Sequence, residues 1–494
     1  MEKFLTPNSI FFSKQTWLLL VLFFIVRIGS FFLQPHLITQ GAIIIILILL
    51  LCVLYFKNPD WAWYIVLSEI LLGGAGHYLE LGGLSLRTLL IGSFLFLWLS
   101  HQLNQQILGK RLNINPTVNY LMAFFAIIVL FAAGNGLAHE HLTKYIIADI
   151  MPFVFFLLLF PSTYLFEDIK AQEFLTRLLS VFVIGTAIFS LFTFTMFSTG
   201  ISELQDPFYK WYRDVDAGKI TDIGSNFYRV VEPGHLLVVP LILLITSLLM
   251  RDEKHNKMWR ILRWFLILIL VLNLSRGYFL ALIVGLLVLK YKHHWHKWLR
   301  ESLAVILLVG IIFSGICLIA SQGKTMGWEQ FGIRLTSLVK PRIEVSSATR
   351  MITLPVIWGV IAKQPILGVG LGNSITFYNP ITYQTQTAPH SDWGYLDMWA
   401  ELGLLGALAF VGLYIFTIYL LVKKIKNIPD WHDFDVGLLA GLIAFLVMNI
   451  TAAALFHVFG VFFLIFTLSI AAKYTAIFDK TTQLLYRVFN RLKV

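Results

Sequence analysis

Long apolar runs alternate with short polar segments along nearly all of the 494 residues. A helix that crosses a bilayer needs about 20 mainly apolar residues, and fourteen runs come close to that length. They lie near residues 17–34, 41–56, 61–80, 84–100, 119–136, 145–165, 178–198, 234–250, 259–275, 277–291, 301–320, 395–422, 436–453 and 457–478. Several early runs are short or interrupted. The pattern therefore predicts an all-α polytopic membrane protein with about 12 to 14 transmembrane helices.

A few ionisable residues interrupt these runs. Arg27 lies inside the first run, and Glu69 and Arg87 lie in the third and fourth. The acids Glu69 and Asp149 leave two interpretations open, since intramembrane acids can mark an ion path or can be paired structurally.

Composition excludes a soluble globular protein. Hydrophobic residues make up 58% of the chain and charged residues 13%, with a mean hydropathy of +0.78. Ordinary soluble domains carry about 25% charged residues. The two cysteines, Cys52 and Cys317, lie in apolar runs and predict no disulfide framework. The net charge of +11 is spread between the runs, which indicates membrane orientation and not a nucleic-acid surface.

The basic clusters predict an orientation. If the N-terminus is cytoplasmic, nearly all of them fall on the cytoplasmic side, as the positive-inside rule requires. Two long segments, 199–233 and 321–393, then face outward, and the first holds six acids against four bases. Both termini are expected to be cytoplasmic. The chain divides accordingly into an N-terminal bundle (1–198), a first extracytoplasmic loop (199–233), further spans (234–320), a large catalytic loop (321–393), and C-terminal spans with a basic tail (394–494).

Arginines on the outer side are the candidate ligands for an anionic substrate. Arg229 precedes the eighth run, Arg276 lies in a Ser-Arg-Gly turn between two runs, and Arg350 begins an amphipathic stretch of the large loop. A guanidinium group stays charged and suits phosphate oxygens. Each arginine could instead contact lipid headgroups or cap a helix end.

His390 is the candidate base because a neutral imidazole can accept a proton from a hydroxyl near neutral pH. A structural histidine in a loop is the alternative. Asp392 could orient it, whereas Asp397 and Glu401, four residues apart, suit stabilisation of a helix start. Further candidates for substrate contact are the neighbours Glu232, Trp393 and Tyr395.

Other motifs predict no chemistry. His139 and His141 lack further ligands at a spacing that zinc would use, and the sequence contains neither Walker glycines nor a dinucleotide fingerprint. We therefore expect no cofactor and no metal ion.

These residues resemble the O-antigen ligase and O-antigen polymerase superfamily of bacterial envelope enzymes. The shared features lie between about 225 and 425 in the family's order. They are Arg229 with Pro233, the Ser275-Arg276-Gly277 turn, a stretch from Arg350 to Trp358 leading into the glycine-rich segment 365–373, and His390 followed by Glu401 to Gly406. The chain departs from the family at Ser391-Asp392, where the family often has asparagine after the histidine.

The resemblance implies a metal-independent glycosyltransferase of the bacterial inner (cytoplasmic) membrane, with its active site on the extracytoplasmic face. The donor would be a glycan on undecaprenyl diphosphate, and the acceptor a glycolipid or glycan. Arg229, Arg276 and Arg350 would bind the diphosphate. His390 would deprotonate the acceptor, whose oxygen would displace undecaprenyl diphosphate with inversion.

Several activities share this pattern. Ligation to a lipid A core is favoured by the long loop, but repeat-unit polymerisation and transfer to protein stay open. A polysaccharide flippase belongs to a different class and would need polar residues lining a path through the membrane. A non-catalytic scaffold would leave Arg276 and His390 without a role.

Overall fold

The computed structural model describes residues 10–11, 13–107, 116–165, 169–216, 218–251, 257–329, 331–332, 336, 345–379, 383–427 and 432–472. The basic C-terminal tail and the loop residues Arg334, Lys340 and Arg342 lie outside these ranges. All eight candidate site residues named above lie inside them.

Helices dominate the described residues. In chain order they are α1 (Lys14–Leu33), α2 (Leu37–Lys57), α3 (Pro59–Leu72), α4 (Leu86–Ile107), α5 (Pro116–Ala138), α6 (Thr143–Val154), α7 (Leu159–Leu165), α8 (Ile169–Ser198), α9 (Pro207–Asp214), α10 (Val238–Leu249), α11 (Lys257–Asn273), α12 (Arg276–Leu289), α13 (Trp295–Ala320), α14 (Val345–Lys363), α15 (Gly394–Asn427), α16 (His432–Met448) and α17 (Val458–Ala472). Two 3₁₀ turns, Phe155–Leu158 and Pro233–Leu237, precede α7 and α10.

Three antiparallel hairpins supply the strands among these residues. They are β1 (Glu80–Leu81) with β2 (Leu84–Ser85), β3 (Lys219–Asp222) with β4 (Tyr228–Val231), and β5 (Ile375–Asn379) with β6 (Gln384–Ala388). The register of the second hairpin pairs Thr221 with Arg229, and that of the third pairs Ile375 with Ala388. Each is a local hairpin and none closes into a barrel.

The predicted fold class is confirmed. Each of the fourteen apolar runs contains helix, and eight helical segments in the described ranges are long and apolar enough to cross a membrane. Three shorter apolar helices, Pro233–Leu249, Arg276–Leu289 and Val458–Ala472, accompany them. The third run is shorter than predicted because α3 ends at Leu72, and Gly73 follows as its C-cap.

The chain forms two compact units. The first comprises Met1–Leu108 and Leu165–Val339, and the second comprises Gly109–Tyr164 and Lys340–Val494. The first contains Arg229 and Arg276, and the second contains Arg350 and His390. The unit boundaries cut across the predicted large loop at residue 339, and the domain division predicted from topology stays a prediction.

The two predicted loops hold regular structure. The first contains α9 and the β3–β4 hairpin, and the second contains α14 and the β5–β6 hairpin. In the second unit, Ile357 and Ile361 of α14, Ile375 and Phe377 of β5, and Ala400 of α15 form one buried apolar cluster. Burial of such side chains is worth about 1.5–3 kcal/mol each, so this cluster fixes the hairpin that leads into His390.

Candidate functional site

The glycine-rich segment 365–373 packs closely against the helices that carry the candidate site of the second unit. Gly368, Gly370 and Gly372 all have positive φ, between 73° and 94°, a conformation that costs other residues energy. A Cβ on Gly370 would collide with the backbone of Gly136 in α5, and one on Gly372 would meet Ile146 of α6. The glycines are therefore needed for close backbone approach.

This segment also fills a break in α15. Gly403 has φ 69° and ψ 177°, which interrupts the helix. The freed carbonyls of Ala400 and Glu401 accept hydrogen bonds from Val369 N and Gly370 N at 2.8 and 3.2 Å, and Leu404 N donates to Pro365 O at 3.0 Å. Backbone groups at membrane depth must find partners within the protein. The glycine-rich segment and the Glu-Leu-Gly motif thus satisfy each other's backbone hydrogen bonds.

His390 lies between β6 and α15, two residues after the strand ends at Ala388. Its side chain is 42% exposed, which leaves the imidazole open to a substrate. Its Nε2 atom lies 3.8 Å from Oδ1 of Asp149 in α6. The structure therefore brings Asp149, for which the sequence left an ion path and structural pairing open, to the candidate base.

Two carboxyl groups meet beside this histidine. Asp149 accepts a hydrogen bond from Gly372 N at 2.7 Å, and its carboxyl lies beside that of Glu401, with ligand oxygens of the two groups within 4.8 Å of each other. Glu401 is buried, with 4% of the residue exposed. The sequence assigned Glu401 to helix-start stabilisation, but its side chain contacts Asp149 instead.

Asp397 stabilises the loop that carries His390. Its carboxylate accepts hydrogen bonds from Ser391 N at 3.0 Å and Ser391 Oγ at 2.5 Å. This contact lies at the first turn of α15, where the sequence placed Asp397, and stabilisation of the helix start itself stays a prediction. It also gives Ser391, where the family often has asparagine, a structural function.

Asp392 points to a different partner from the one predicted. Its carboxylate is 67% exposed and lies 3.8 Å from Nη2 of Arg350. The residue has φ 63°, which an aspartate tolerates better than most residues. Arg350 Nε is buried and has no hydrogen-bond acceptor within the described part of the chain. The role of Asp392 as an orienter of His390 stays a prediction.

Trp393 and Tyr395 anchor the same segment. The Trp393 indole N–H donates to Arg350 O at 3.0 Å, and the Tyr395 hydroxyl donates to Leu446 O at 2.8 Å. Both side chains are half-buried. Their polar atoms thus already serve the backbone, and substrate contact by either residue stays a prediction.

In the first unit, Arg229 of β4 contacts the turn that precedes Arg276, and this turn with its two arginines is called the arginine turn below. Arg229 Nε donates to Asn273 O, the last residue of α11, at 2.5 Å. Leu274 then adopts φ 45°, and Arg276 begins α12. Both arginines are half-buried. A helix start favours anions, and two guanidinium groups near it strengthen that preference.

A buried charge cluster lies beside this turn. Arg27, on α1, pairs with Glu232 at 2.9 Å and Asp216 at 3.7 Å, and all three side chains are at most 4% exposed. Its guanidinium also lies over the rings of Phe23 and Phe189, at 4.7 and 4.4 Å. Such a cation stabilises its pair and the packed rings together.

Hydrogen bonds connect this cluster to the arginine turn. Tyr78 donates to Asp216 at 2.6 Å, and the amide of Asn273 lies 3.0 Å from Nδ1 of His235. His235 also accepts from Glu232 N at 3.3 Å. Glu232, a candidate for substrate contact, is thus directed into the cluster, and that candidate role stays a prediction.

Burial raises the pKa of Asp216 to about 7, although Arg27 opposes the shift. Burial also raises the pKa of Tyr78 well above its usual range. One arginine faces two acids here, so a proton on Asp216 relieves the excess negative charge. Sequence patterns could have found this cluster only through the interruption of an apolar run by Arg27.

Glu69 and Arg87 form a second buried pair in the same unit, with the carboxylate 3.6 Å from Arg87 Nε. Arg87 also donates to Gly74 O at 2.7 Å. Glu69 thus has the arginine partner that the structural interpretation requires, and the choice between the two interpretations stays a prediction.

Among the described residues, one group has side chains placed so that they could hold a metal ion. It consists of Asp149, His390 and Glu401, whose ligand atoms lie within 4.8 Å of one another. One imidazole and two carboxylates suit zinc or manganese. A bound ion would take the nitrogen that faces Asp149 and would leave the proton of the neutral ring on the other nitrogen. The site can therefore act as a base or as a metal ligand, not as both at once.

These features define a multi-pass, all-α membrane protein with an exposed histidine beside two acids and a separate arginine turn. Residues 261–411 match the family model described as O-antigen ligase. Over this region the chain is similar to the O-antigen ligase family, which supports the resemblance to the O-antigen ligase and polymerase superfamily seen in the sequence. The match includes Arg276, Arg350, His390 and Glu401, but Arg229 lies outside it. No curated protein and no solved structure matches the chain.

Proposed function

We propose that the protein is a glycosyltransferase that moves a glycan from undecaprenyl diphosphate to an acceptor hydroxyl on the extracytoplasmic face of a bacterial inner membrane. The observation that carries the proposal is His390. It is an exposed imidazole beside an acid, held between a packed hairpin and a helix, inside the region that matches the O-antigen ligase family.

The reaction is a single displacement. His390 takes the proton of the acceptor hydroxyl, and the acceptor oxygen forms a bond to the anomeric carbon. The bond between that carbon and the diphosphate oxygen breaks, and undecaprenyl diphosphate leaves with the electron pair. The anomeric configuration is inverted. General-base help of this kind contributes about 10²–10⁴-fold.

The leaving group carries negative charge, and we assign its stabilisation to Arg229, Arg276 and Arg350. Arg229 donates to Asn273 at the start of the turn that leads to Arg276, where a helix start adds favourable backbone N–H groups. Arg350 has a buried Nε with no protein acceptor among the described residues. Each fixed donor of this kind is worth about 10²–10³-fold in rate.

The test is reconstitution of the purified protein in lipid nanodiscs with a lipid-linked glycan donor. Wild-type protein is expected to transfer glycan to a lipid A core acceptor and to release undecaprenyl diphosphate in equal amount. NMR of the product should show an inverted anomeric centre. Retention of configuration, or no release of the diphosphate with any acceptor, would contradict the proposal.

Repeat-unit polymerisation is the second candidate, because the matched family region does not separate it from ligation. Surface glycans of a deletion strain distinguish the two on a gel. If the protein is a ligase, its deletion leaves long chains on the lipid carrier and none on the core. If the protein is a polymerase, its deletion leaves single repeat units on the core. Glycan missing only from protein would indicate transfer to protein.

A further inference from the structure

We propose that Asp149 and Glu401 form a carboxyl pair that positions His390 and stabilises its protonated form during transfer. The inference rests on the proposed function, since it names positioning residues for the same base. The sequence analysis named Asp392, close to His390 in the chain, as the residue that orients the base. The inference gives that role to Asp149, which lies on a helix far away in the sequence.

The first step of the argument is that Asp149 is held rigidly. Its Oδ2 accepts the Gly372 N–H at 2.7 Å, and Gly372 belongs to a segment bonded to both α5 and the break in α15. Its other oxygen, Oδ1, faces His390 Nε2 at 3.8 Å. A carboxylate fixed in this way can set the direction of an imidazole ring, as the acid of a catalytic triad does.

The second step concerns the proton between the two acids. The ligand oxygens of the two carboxyl groups lie within 4.8 Å of each other. Two carboxylates this close repel each other when both are ionised, so one of them keeps its proton. The Gly372 N–H and the His390 ring both face Asp149, whereas Glu401 is buried against it. This arrangement places the negative charge on Asp149 and the proton on Glu401.

The third step assigns the ring nitrogens of His390. Because Nε2 faces Asp149, it carries the N–H in the resting enzyme, and Nδ1 is the atom that takes the acceptor's proton. The imidazolium formed then lies against a negative carboxylate. Asp397 also faces the ring, but it is engaged by Ser391.

Asp392 fits this role less well. Its carboxylate is 67% exposed and is paired with Arg350 at 3.8 Å. Exposed charges are screened by solvent, so an exposed acid stabilises an imidazolium less than a half-buried one does.

The experiment compares amide variants in the nanodisc transfer assay. In Asp149→Asn, the amide oxygen can still accept the Gly372 N–H, so the loop is retained and only the charge is lost. We expect kcat to fall about 10²–10⁴-fold with an unchanged KM for the donor. We also expect the acid-side midpoint of the pH–rate profile to move to lower pH. Asp392→Asn should lower kcat much less.

Glu401→Gln gives a second, opposite expectation. The glutamine amide can donate to Asp149 in place of the protonated carboxyl, so kcat should stay within about threefold of wild type, whereas Glu401→Ala should lose most activity. Asp214→Asn is the matched control, because Asp214 is exposed and paired with Arg213 outside the site. The melting temperature of every variant separates loss of chemistry from loss of folding.

A near-normal kcat in Asp149→Asn, or an inactive but folded Glu401→Gln, would overturn the inference. If Asp149→Asn lowers thermal stability, the residual transfer of His390→Ala decides the matter. Adding Asp149→Asn to it should cause no further loss, because the pair acts only through the histidine. A further loss would show a purely structural role. Activity retained in His390→Ala would instead refute the proposed function itself.

Discussion

The cluster around Arg27 and the cluster around His390 contain similar residues but differ in exposure. Arg27, Glu232 and Asp216 are buried, and aromatic rings enclose the arginine. His390 is 42% exposed, and only the acids behind it are buried. Ion pairs closed off from solvent serve structure, whereas a half-open histidine with a fixed acid can exchange protons with a substrate. Exposure therefore separates the two roles better than residue type does.

The largest expected effect comes from a substitution that breaks the buried cluster around Arg27. Arg27→Met should destabilise the protein by about 3–5 kcal/mol, because it leaves two buried carboxyl groups without their cation. Thermal unfolding of the detergent-solubilised protein measures this loss. Arg213→Met is the control, since Arg213 pairs with Asp214 on the surface and its loss should leave the melting temperature unchanged. Equal effects of the two changes would remove the distinction between the clusters.

Loss of the arginine at the α12 start should affect chemistry and not folding. Arg276→Ala is expected to lower transfer about 10²–10³-fold, the usual effect of removing one donor from a developing anion. Its melting temperature should stay close to that of wild type. Arg276→Lys should recover part of the activity, because a point charge remains but the planar fork is lost. Full activity in Arg276→Ala would exclude this residue from the diphosphate site.

The buried cluster should give the protein a pH-dependent stability. The pKa of Asp216 is raised from 3.8 to about 7, so the folded state holds this proton more tightly than the unfolded state. The contribution of this bound proton to the free energy of unfolding is complete below about pH 4 and is lost as the pH rises through about 7. In Asp216→Asn, the melting temperature should depend less on pH between pH 4 and 7 than it does in wild type. An unchanged slope would contradict the assignment of the proton to Asp216.

The smallest expected effect concerns metal ions at the other cluster. If His390 acts as a base, chelation with EDTA should change the transfer rate by less than about twofold, since the arginines neutralise the leaving group. Added zinc should inhibit by occupying the imidazole and the two carboxylates. A strict requirement for magnesium or manganese would show that Asp149, His390 and Glu401 hold a resident ion.

Sequence predicted the helical framework because a bilayer imposes a length and an apolar composition on every span. It also placed His390 and Asp397 together where the large loop enters an apolar helix, which depends on local order along the chain. It missed the partners of Arg27 and Asp149. Those contacts join residues about 190 and 240 positions apart, and a single sequence holds no signal for such pairing beyond an ionisable residue inside an apolar run.

Local rules also misplaced Glu401. Its position four residues after Asp397 suggested a helix start, yet the break at Gly403 turns this part of α15 toward the glycine-rich segment and Asp149. The three positive-φ glycines were visible in the sequence as a motif. Their purpose, close backbone contact with α5 and α6, required the fold.

The central claim is that His390 is the base of glycan transfer, and the most direct measurement is the transfer rate of His390→Ala in nanodiscs beside its melting temperature. The account predicts a loss of about 10²–10⁴-fold in rate with unchanged thermal stability, since the side chain is 42% exposed and no hydrogen bond of it is needed for the loop, which Asp397 and Ser391 hold. A folded His390→Ala protein that transfers glycan at a near-normal rate would contradict it.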